Sequence, residues 1–425
     1  SSFQDFPQIC INPNDLPSLI CNMKKASNNA IIFIFFTLLI DVIGLGIIIP
    51  ILPRLMMEMT GESVAEASAE GGWLMFAYAT MMFIFAPILG NLSDRYGRRP
   101  IILFSLFGLG IDYLFMAMAP SLFWLFVGRI ISGIMGASFT TASAFIADIS
   151  TPEKRAQNFG LVGAAFGLGF IIGPVIGGLL GGMGTRIPFY AAAVMSLINL
   201  IYGYFALPES LEESKRRPFD WKRANPFGAF KTIRKHPQVA GIVLALFFLY
   251  WASFAIQGTW GYYTKHVFNW DETAIGMSLA AVGLLAVIVQ GFLIRKINPW
   301  LGNKKSILIG TALYMVGLIL FSFATEGWQM YAILIPYCLG GITIPAMQSE
   351  IGNYVPSSEQ GDLQGALTSV NSITAIIGPV TMTGIFSYFA GPKAPFHMPG
   401  AAFLAGAILC AVSVFIAFRS FKKHQ

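Results

Sequence analysis

The chain has 425 residues, of which 55% are hydrophobic and only 11% charged, with a formal net charge of +6. Soluble globular proteins carry about 25% charged residues, so this chain lacks the polar surface that water requires and lipid must solvate most of it. The positive charge would fit nucleic acid, but its distribution along the chain argues for a different cause.

Residues 1–22 are mixed in character, contain Pro and Asn, and lack a clear period. They read as an N-terminal extension, non-native in character, ahead of a natural-looking start at Met23-Lys-Lys. A spanning helix needs about 20 mainly apolar residues. Twelve such stretches are predicted: 30–53, 71–90, 100–119, 122–147, 157–182, 187–207, 238–260, 272–294, 304–324, 327–350, 361–389 and 398–419. Between the sixth and seventh lies 208–237, polar and basic, with Lys215-Arg-Arg-Pro218 and Arg234-Lys-His-Pro237. The expected fold is therefore all-α and integral to a membrane. An N-terminal six-helix half over 23–207 and a C-terminal half over 238–425 are joined by a cytoplasmic central loop.

Lysine and arginine concentrate on the cytoplasmic side of membrane proteins. With the N-terminus and central loop placed there, all 27 basic residues fall inside except Arg54, Arg129, Arg186, Lys265 and Lys393. The net charge is a topology signal. It predicts a multi-pass protein of the inner (plasma) membrane with both termini cytoplasmic, in contact with the lipid bilayer and not with nucleic acid. The halves also repeat. Ile171-Ile-Gly-Pro-Val175 recurs as Ile376-Ile-Gly-Pro-Val380, and the same offset of 205 residues carries Gly97 to Gly302. Parallel repeats of this kind place a substrate site between the halves near the midplane.

Ionisable groups at membrane depth cost roughly 2.5–3.5 kcal/mol each on insertion scales, which makes them functional candidates. Three qualify: Asp41, Asp112 and Arg129. A carboxylate that meets the arginine in one state and loses it in another would bind and release a proton. A permanent ion pair that fixes helix packing is the plainer alternative. In the second half Gln257, Trp260, Gln290, Tyr314, Tyr337, Gln348 and Asn371 offer hydrogen bonds and aromatic faces. They suit a bulky, partly apolar substrate. Four scattered cysteines make no disulfide framework. Four histidines in loops or the tail make no metal-ligand pair at helical spacing, so neither a metal nor another cofactor is expected.

The string Gly90-Asn-Leu-Ser-Asp-Arg-Tyr-Gly-Arg-Arg-Pro100 reads as a turn between the second and third predicted helices. It matches Gly-x-Leu-Ser-Asp-Arg-x-Gly-Arg-Arg-Pro at every fixed position, and so resembles the signature turn of the major facilitator superfamily. Four further stretches resemble its drug:proton antiporters, and the tetracycline-efflux branch in particular. They are Asp41–Pro53, Gly128-Arg-Ile-Ile-Ser-Gly133, Gly167–Gly178 and Gly361–Ser369. By that resemblance Asp41, Asp112 and Arg129 match charges used in proton coupling. Gly90, Asp94, Arg95, Gly97, Arg98, Arg99 and Asp148 match a cytoplasmic gate, and Gly169, Gly173, Pro174 and Gly177 match the helix-five antiporter motif. Asp94 is expected to face the helix N-terminus near Gly361, and Arg98 to reach Asp148. Three positions depart from the tetracycline pumps: Met82, Ala286 and Tyr314 stand for a glutamine, a histidine and an aspartate.

The expected activity is proton-coupled export of a small amphipathic molecule, tetracycline-like and carried free or as a metal chelate, by a monomer that alternates access between its halves. A metabolite facilitator or importer of the same fold, with the aspartates structural, is the first alternative. A membrane sensor or enzyme is the second, and it lacks support because no loop carries a nucleophile–base pair or a phosphate-binding glycine run.

Overall fold

The computed structural model describes residues 16–136, 138–151, 154–221, 233, 235–356 and 359–423. Among the described residues the regular structure is helical, with no strand. Residues 1–15 of the expected extension lie outside the described residues, as do 222–232 and 234 of the central loop.

Helix α1 covers Leu16–Ile48 and ends before Pro50, where the missing amide hydrogen prevents the helix from continuing. The first predicted helix, 30–53, therefore closes five residues early, and a short separate helix, Leu52–Thr60, follows with a proline in its first turn. Helix α2 is Val64–Tyr96, begun by a capping box in which Ser63 and Glu66 satisfy each other's backbone amides. The stretch 90–100, expected as a turn, is instead mostly the last two turns of α2. The chain reverses at Gly97 alone, whose φ of 104° only glycine adopts cheaply. Then come α3 (Arg98–Met118), α4 (Leu122–Ile149, interrupted near Gly136), α5 (Arg155–Met183) and α6 (Ile187–Ala206).

In the second half α7 is Pro237–Phe268. The next apolar helical stretch covers Glu272–Ser322, 51 residues. At 1.5 Å per residue it would extend about 75 Å, more than twice a hydrocarbon core. It turns back at Gly302, where φ is 72° and ψ is 162°, so that α8 (272–301) and α9 (303–322) form two spans, as predicted. Helix α10 is Gly327–Asn353, with a 3-10 turn at Gly340–Ile342, α11 is Gln360–Ala390 and α12 is Ala401–Lys423. The duplication extends to backbone geometry. Gly97 (φ 104°, ψ 160°) and Gly302 (φ 72°, ψ 162°) make the same reversal 205 residues apart. Likewise α4 and α10 break at matching places, Gly136 and Gly340–Ile342.

Lipid contact can be read from α6. Tyr190, Val194, Ile198, Ile201 and Phe205 form one exposed stripe at helical spacing, with Phe205 81% exposed. The opposite face buries Ala192, Ser196, Asn199 and Gly203. A contiguous apolar stripe of this kind marks a surface that water does not cover.

Without a hydrophobic force between helices in lipid, close packing through small residues holds them together. Helix α5 carries two such faces. Toward α1, a Cβ on Gly173 would stand 2.9 Å from Gly46 Cα, and one on Gly177 would stand 2.8 Å from Ile47 Cα. Toward α8, a Cβ on Gly178 would lie 3.1 Å from Thr273 Cα, and one on Gly276 3.1 Å from Gly178 Cα. The α5–α8 contact continues through Gly283 against Ile171 and Gly167 against Val287, and then stops. Gly160, Gly163 and Gly291 have no atom within 4 Å of an added Cβ. The halves thus touch on the side away from the basic turns and splay on the basic side.

Gly177→Ala must push α1 from α5 at the level of backbone atoms, so it should cost about 1–3 kcal/mol as overpacking does. Gly163→Ala enters open space and should leave thermal unfolding in detergent unchanged or slightly raised.

Candidate functional site

The three intramembrane charges come together in the first half. Helix α3 presents Asp112 and α4 presents Arg129, whose Nη2 donates to Asp112 Oδ2 at 3.0 Å. The aspartate side chain is 0% exposed and the arginine 8%. The run Gly128-Arg-Ile-Ile-Ser-Gly133 explains the fit. A Cβ on Gly128 would stand 3.1 Å from Asp112 Oδ1, so the glycine makes room for the carboxylate on the α3 side. On the other side, a Cβ on Gly133 would stand 2.6 Å from Met81 Cβ and 3.2 Å from Met82 N, so this glycine lets α4 lie against α2. Arg129 also donates to the Met116 sulfur, and its guanidinium sits 5.6 Å from the Tyr78 ring centroid.

The pair is not saturated. Asp112 Oδ1 and Arg129 Nε make no hydrogen bond of ordinary geometry among the described residues, although the Ser132 hydroxyl lies beside the Asp112 carboxylate. Asp41, on α1, lies within electrostatic reach of Tyr78 and Tyr113, the same tyrosines that feel Asp112 and Arg129. The Tyr113 ring packs on Gly44, one turn beyond Asp41, and a Cβ there would stand 3.0 Å from its Cζ. Two carboxylates, one arginine and two tyrosines therefore share one electrostatic neighbourhood between α1, α2, α3 and α4.

The second group lies at the basic turn. Arg98 Nε donates to Asp148 Oδ2 at 3.0 Å, as expected from the sequence. Its Nη1 donates to Asp94 Oδ1 at 2.5 Å and to Ser93 Oγ at 2.6 Å. The second expected contact is not made in this structure. Asp94 serves Arg98 of its own half, while an added Cβ on Gly361 at the start of α11 has no atom within 4 Å. The splay of the halves on this side accounts for the difference. At the α11 start Glu359 instead pairs with His236 at 2.8 Å and Lys235 at 3.3 Å. These hydrogen bonds hold its carboxyl below the usual carboxylate range. The Glu359 carboxylate is therefore charged at neutral pH, and its hold on Lys235 and His236 is lost as pH falls through that lowered value.

Sequence reading missed Glu209. Its carboxylate accepts from the backbone amides of Arg98 (2.9 Å), Arg99 (3.2 Å), Ser210 (2.9 Å) and Leu211 (3.0 Å), capping the start of α3. The strap that follows α6 adds Arg217 N donating to Asp94 O at 3.0 Å and Asn91 Nδ2 donating to Asp220 O at 2.6 Å. An acidic residue just past α6 and a basic turn between α2 and α3 become a pair only when the fold sets the two ends side by side. Arg95 stays exposed and Arg99 half-buried, with Arg99 donating to Tyr204 O at 2.6 Å. Gly90 faces Thr140 of α4 at ordinary contact distance.

The helix-five residues Gly169, Gly173, Pro174 and Gly177 all lie in the seam with α1, and Pro174 also meets Gly276 of α8. Of the seven polar and aromatic candidates of the second half, Gln257, Gln290 and Asn371 are exposed, on α7, α8 and α11, and Gln348 is half-buried, its Nε2 donating to the Tyr250 hydroxyl at 3.1 Å. Gln290 sits in a π-helical segment, Ile288–Leu293, a distortion that often marks functional positions and that no periodicity rule anticipates. Trp260 and Tyr314 are buried within the second half. Trp260 Nε1 donates to Ser278 Oγ at 2.9 Å, and the Tyr314 and Tyr337 hydroxyls meet at 2.7 Å. Tyr314 thus fills its departing position with a neutral, paired group. Met82 lies half-buried against α4, and Ala286 lies one turn before Gln290.

The sequence matches the Major Facilitator Superfamily over residues 34–379 and again over 300–424. This chain belongs to that superfamily. It is 40% identical to the class C tetracycline resistance protein of Escherichia coli, over 91% of this chain and 96% of that protein. It is 37% identical to the class H tetracycline resistance protein of Pasteurella multocida, over 92% and 96% of the two chains. Among solved structures, a bacterial homologue of the human lysosomal transporter Spinster superposes with a TM-score of 0.76 at 16% identity, over 94% of this chain and 98% of that one. The human organic anion transporter MFSD10 gives 0.69 at 21% identity, over 92% and 99%. The chain is a multi-pass membrane transporter and not an enzyme.

Breaking a buried pair strands its partner, at about 3–5 kcal/mol. Arg129→Gln alone should therefore lower thermal stability in detergent by more than Arg129→Gln combined with Asp112→Asn, which removes both charges.

Proposed function

We propose that this transporter exports tetracycline-like amphipathic molecules in exchange for protons, by alternating access between two six-helix halves. The observation that carries the reading is the incompletely bonded Asp112–Arg129 pair, buried beside Asp41 in a helix bundle closed on one side and splayed on the other. A carboxylate whose cationic partner is held by only part of its hydrogen-bonding capacity can take a proton and give it up as the surrounding helices shift. Proton entry down the membrane potential supplies about 2.3 kcal/mol per charge per 100 mV, enough to drive cargo uphill. The tetracycline resistance relatives supply the substrate class. The neutral Tyr314–Tyr337 pair and the apolar Met82 and Ala286 favour a cargo read by shape and by amides, with Gln257, Gln290 and Asn371 as its contacts.

The basic turns and both termini lie on the cytoplasmic side of the inner membrane, so the splay opens to the cytoplasm, where cargo is collected. The first half ends near 207, the second begins near 238, and the protein works as a monomer. Cargo travels free or as a metal chelate. Arg98, held by Asp94 and Asp148, is poised on the first half. As the halves close, Asp94 swings to the start of α11 and shuts the cytoplasmic side.

Inverted vesicles test the reading. Tetracycline uptake should require an inside-acid pH gradient and should fall at least about tenfold in Asp41→Asn, the scale of losing one functional intramembrane charge. Uptake indifferent to both gradient and substitution would leave a facilitator of the same fold. For the gate, Asp94→Asn should insert and bind cargo normally yet turn over several-fold more slowly. Turnover at the unsubstituted rate would reduce that aspartate to part of an ordinary turn.

A further inference from the structure

The side opposite the basic turns is held by a charge cluster that spans the two halves. Glu272, at the start of α8, is 4% exposed. Its Oε1 accepts from Lys265 Nζ at 3.1 Å, at the end of α7, and its Oε2 lies 3.6 Å from Arg54 Nη1. Arg54 belongs to the first half, on the short helix Leu52–Thr60. There its Nε donates to Glu58 Oε1 at 3.0 Å, and the same oxygen accepts from Thr185 Oγ1 at 2.6 Å. Beside the cluster Thr273 Oγ1 donates to the Gly178 carbonyl at 3.3 Å, and a Cβ on Gly181 would meet Glu272 Cβ at 3.2 Å.

We infer that Arg54 and Glu272 form the latch that closes the release side, and that its construction keeps it cheap to open. Each charge has two partners, one in its own half and one across the seam. When the halves part, Glu272 keeps Lys265 and Arg54 keeps Glu58, so no charge is stranded. The contact across the seam is the longest of the three ion pairs. A buried charge left alone costs several kcal/mol, whereas a charge that keeps one partner loses only the increment of the second. The burial gradient agrees: the Arg54 and Glu58 side chains are 41% and 42% exposed, while Glu272 is 6%. Water therefore reaches the cluster from the first half's side. This device rests on the alternating-access reading and assigns a residue to its release step.

The test reads distance between the halves, without cargo or gradient. Spin labels are placed at exposed Glu62 and Lys393, in a background whose native cysteines are replaced by serine. The unsubstituted latch should give mainly a short separation. Glu272→Gln and Arg54→Gln should each raise the long-separation fraction about three- to fivefold, the scale of a partly exposed ion pair. The double variant should rise no further than either single one, because both remove the same contact. Distributions that superimpose on the unsubstituted protein, or a double effect that multiplies the single ones, would overturn the latch. Failure of drug export in vesicles would sink the antiport reading and leave this measurement standing.

Discussion

Everything in this molecule depends on how closely helices can approach in a solvent that does not push them together. Lipid satisfies no backbone hydrogen bond, so each span must be a complete helix. Completed helices then attract mainly through contact. Helix α5 meets that condition on two faces at once, with Gly169, Gly173 and Gly177 against α1 and Gly178 against α8. One face holds the first half together. The other is one of two surfaces across which the halves meet, its counterpart being α2 against α11, where Gly72 faces Thr383. A residue larger than glycine on the first face loosens the fold, and one on the second props the halves apart.

The charges are arranged around that seam in two layers. The deep layer, Asp112 and Arg129 with Asp41 nearby, sits wholly in the first half, where lipid and protein exclude water. The surface layers lie at the two ends. On the basic side Arg98 gathers Asp94 and Asp148 within one half. On the opposite side Arg54 and Glu272 reach across. At the positions that match Asp94 and Arg98 the second copy of the basic turn has Pro299 and Asn303. Asn303, following Gly302, bonds to Asn298 at 3.0 Å and to Glu350 at 3.2 Å, and so keeps the shape of the first turn with amides in place of the guanidinium. Duplication preserved the backbone, and the chemistry was kept on one side of the pseudo-axis.

Much of this was legible in the chain because lipid imposes simple rules. The spans, the positive side, the repeat of Ile171–Val175 at Ile376–Val380 and the deep charges all follow from apolar length, lysine and arginine placement, and the cost of burial. Boundaries were less legible where a charged helix end looks like a loop. The stretch Gly90–Pro100 has the composition of a turn, yet backbone hydrogen bonding carries α2 to Tyr96 and leaves a single glycine to reverse the chain. Glu209 and Glu272 were invisible for another reason. Each works through a residue more than a hundred positions away, and an acidic residue beside a helix end reads as an ordinary cap until the fold places its partner. The π-helical segment at Gln290 leaves no compositional trace.

The seam also bears on insulation. Between Gly167 and Gly178 helix α5 presents glycine, proline and hydrocarbon, with no side chain that can accept or donate a proton. Its contacts with α1 and α8 at that depth are backbone to backbone or backbone to hydrocarbon, apart from the Thr273 hydroxyl that donates to the Gly178 carbonyl at the outer end. Along that stretch α5 itself offers a file of water no side chain to hydrogen-bond. Tight glycine packing, which lets the halves touch, thereby also keeps titratable side chains out of this part of the contact.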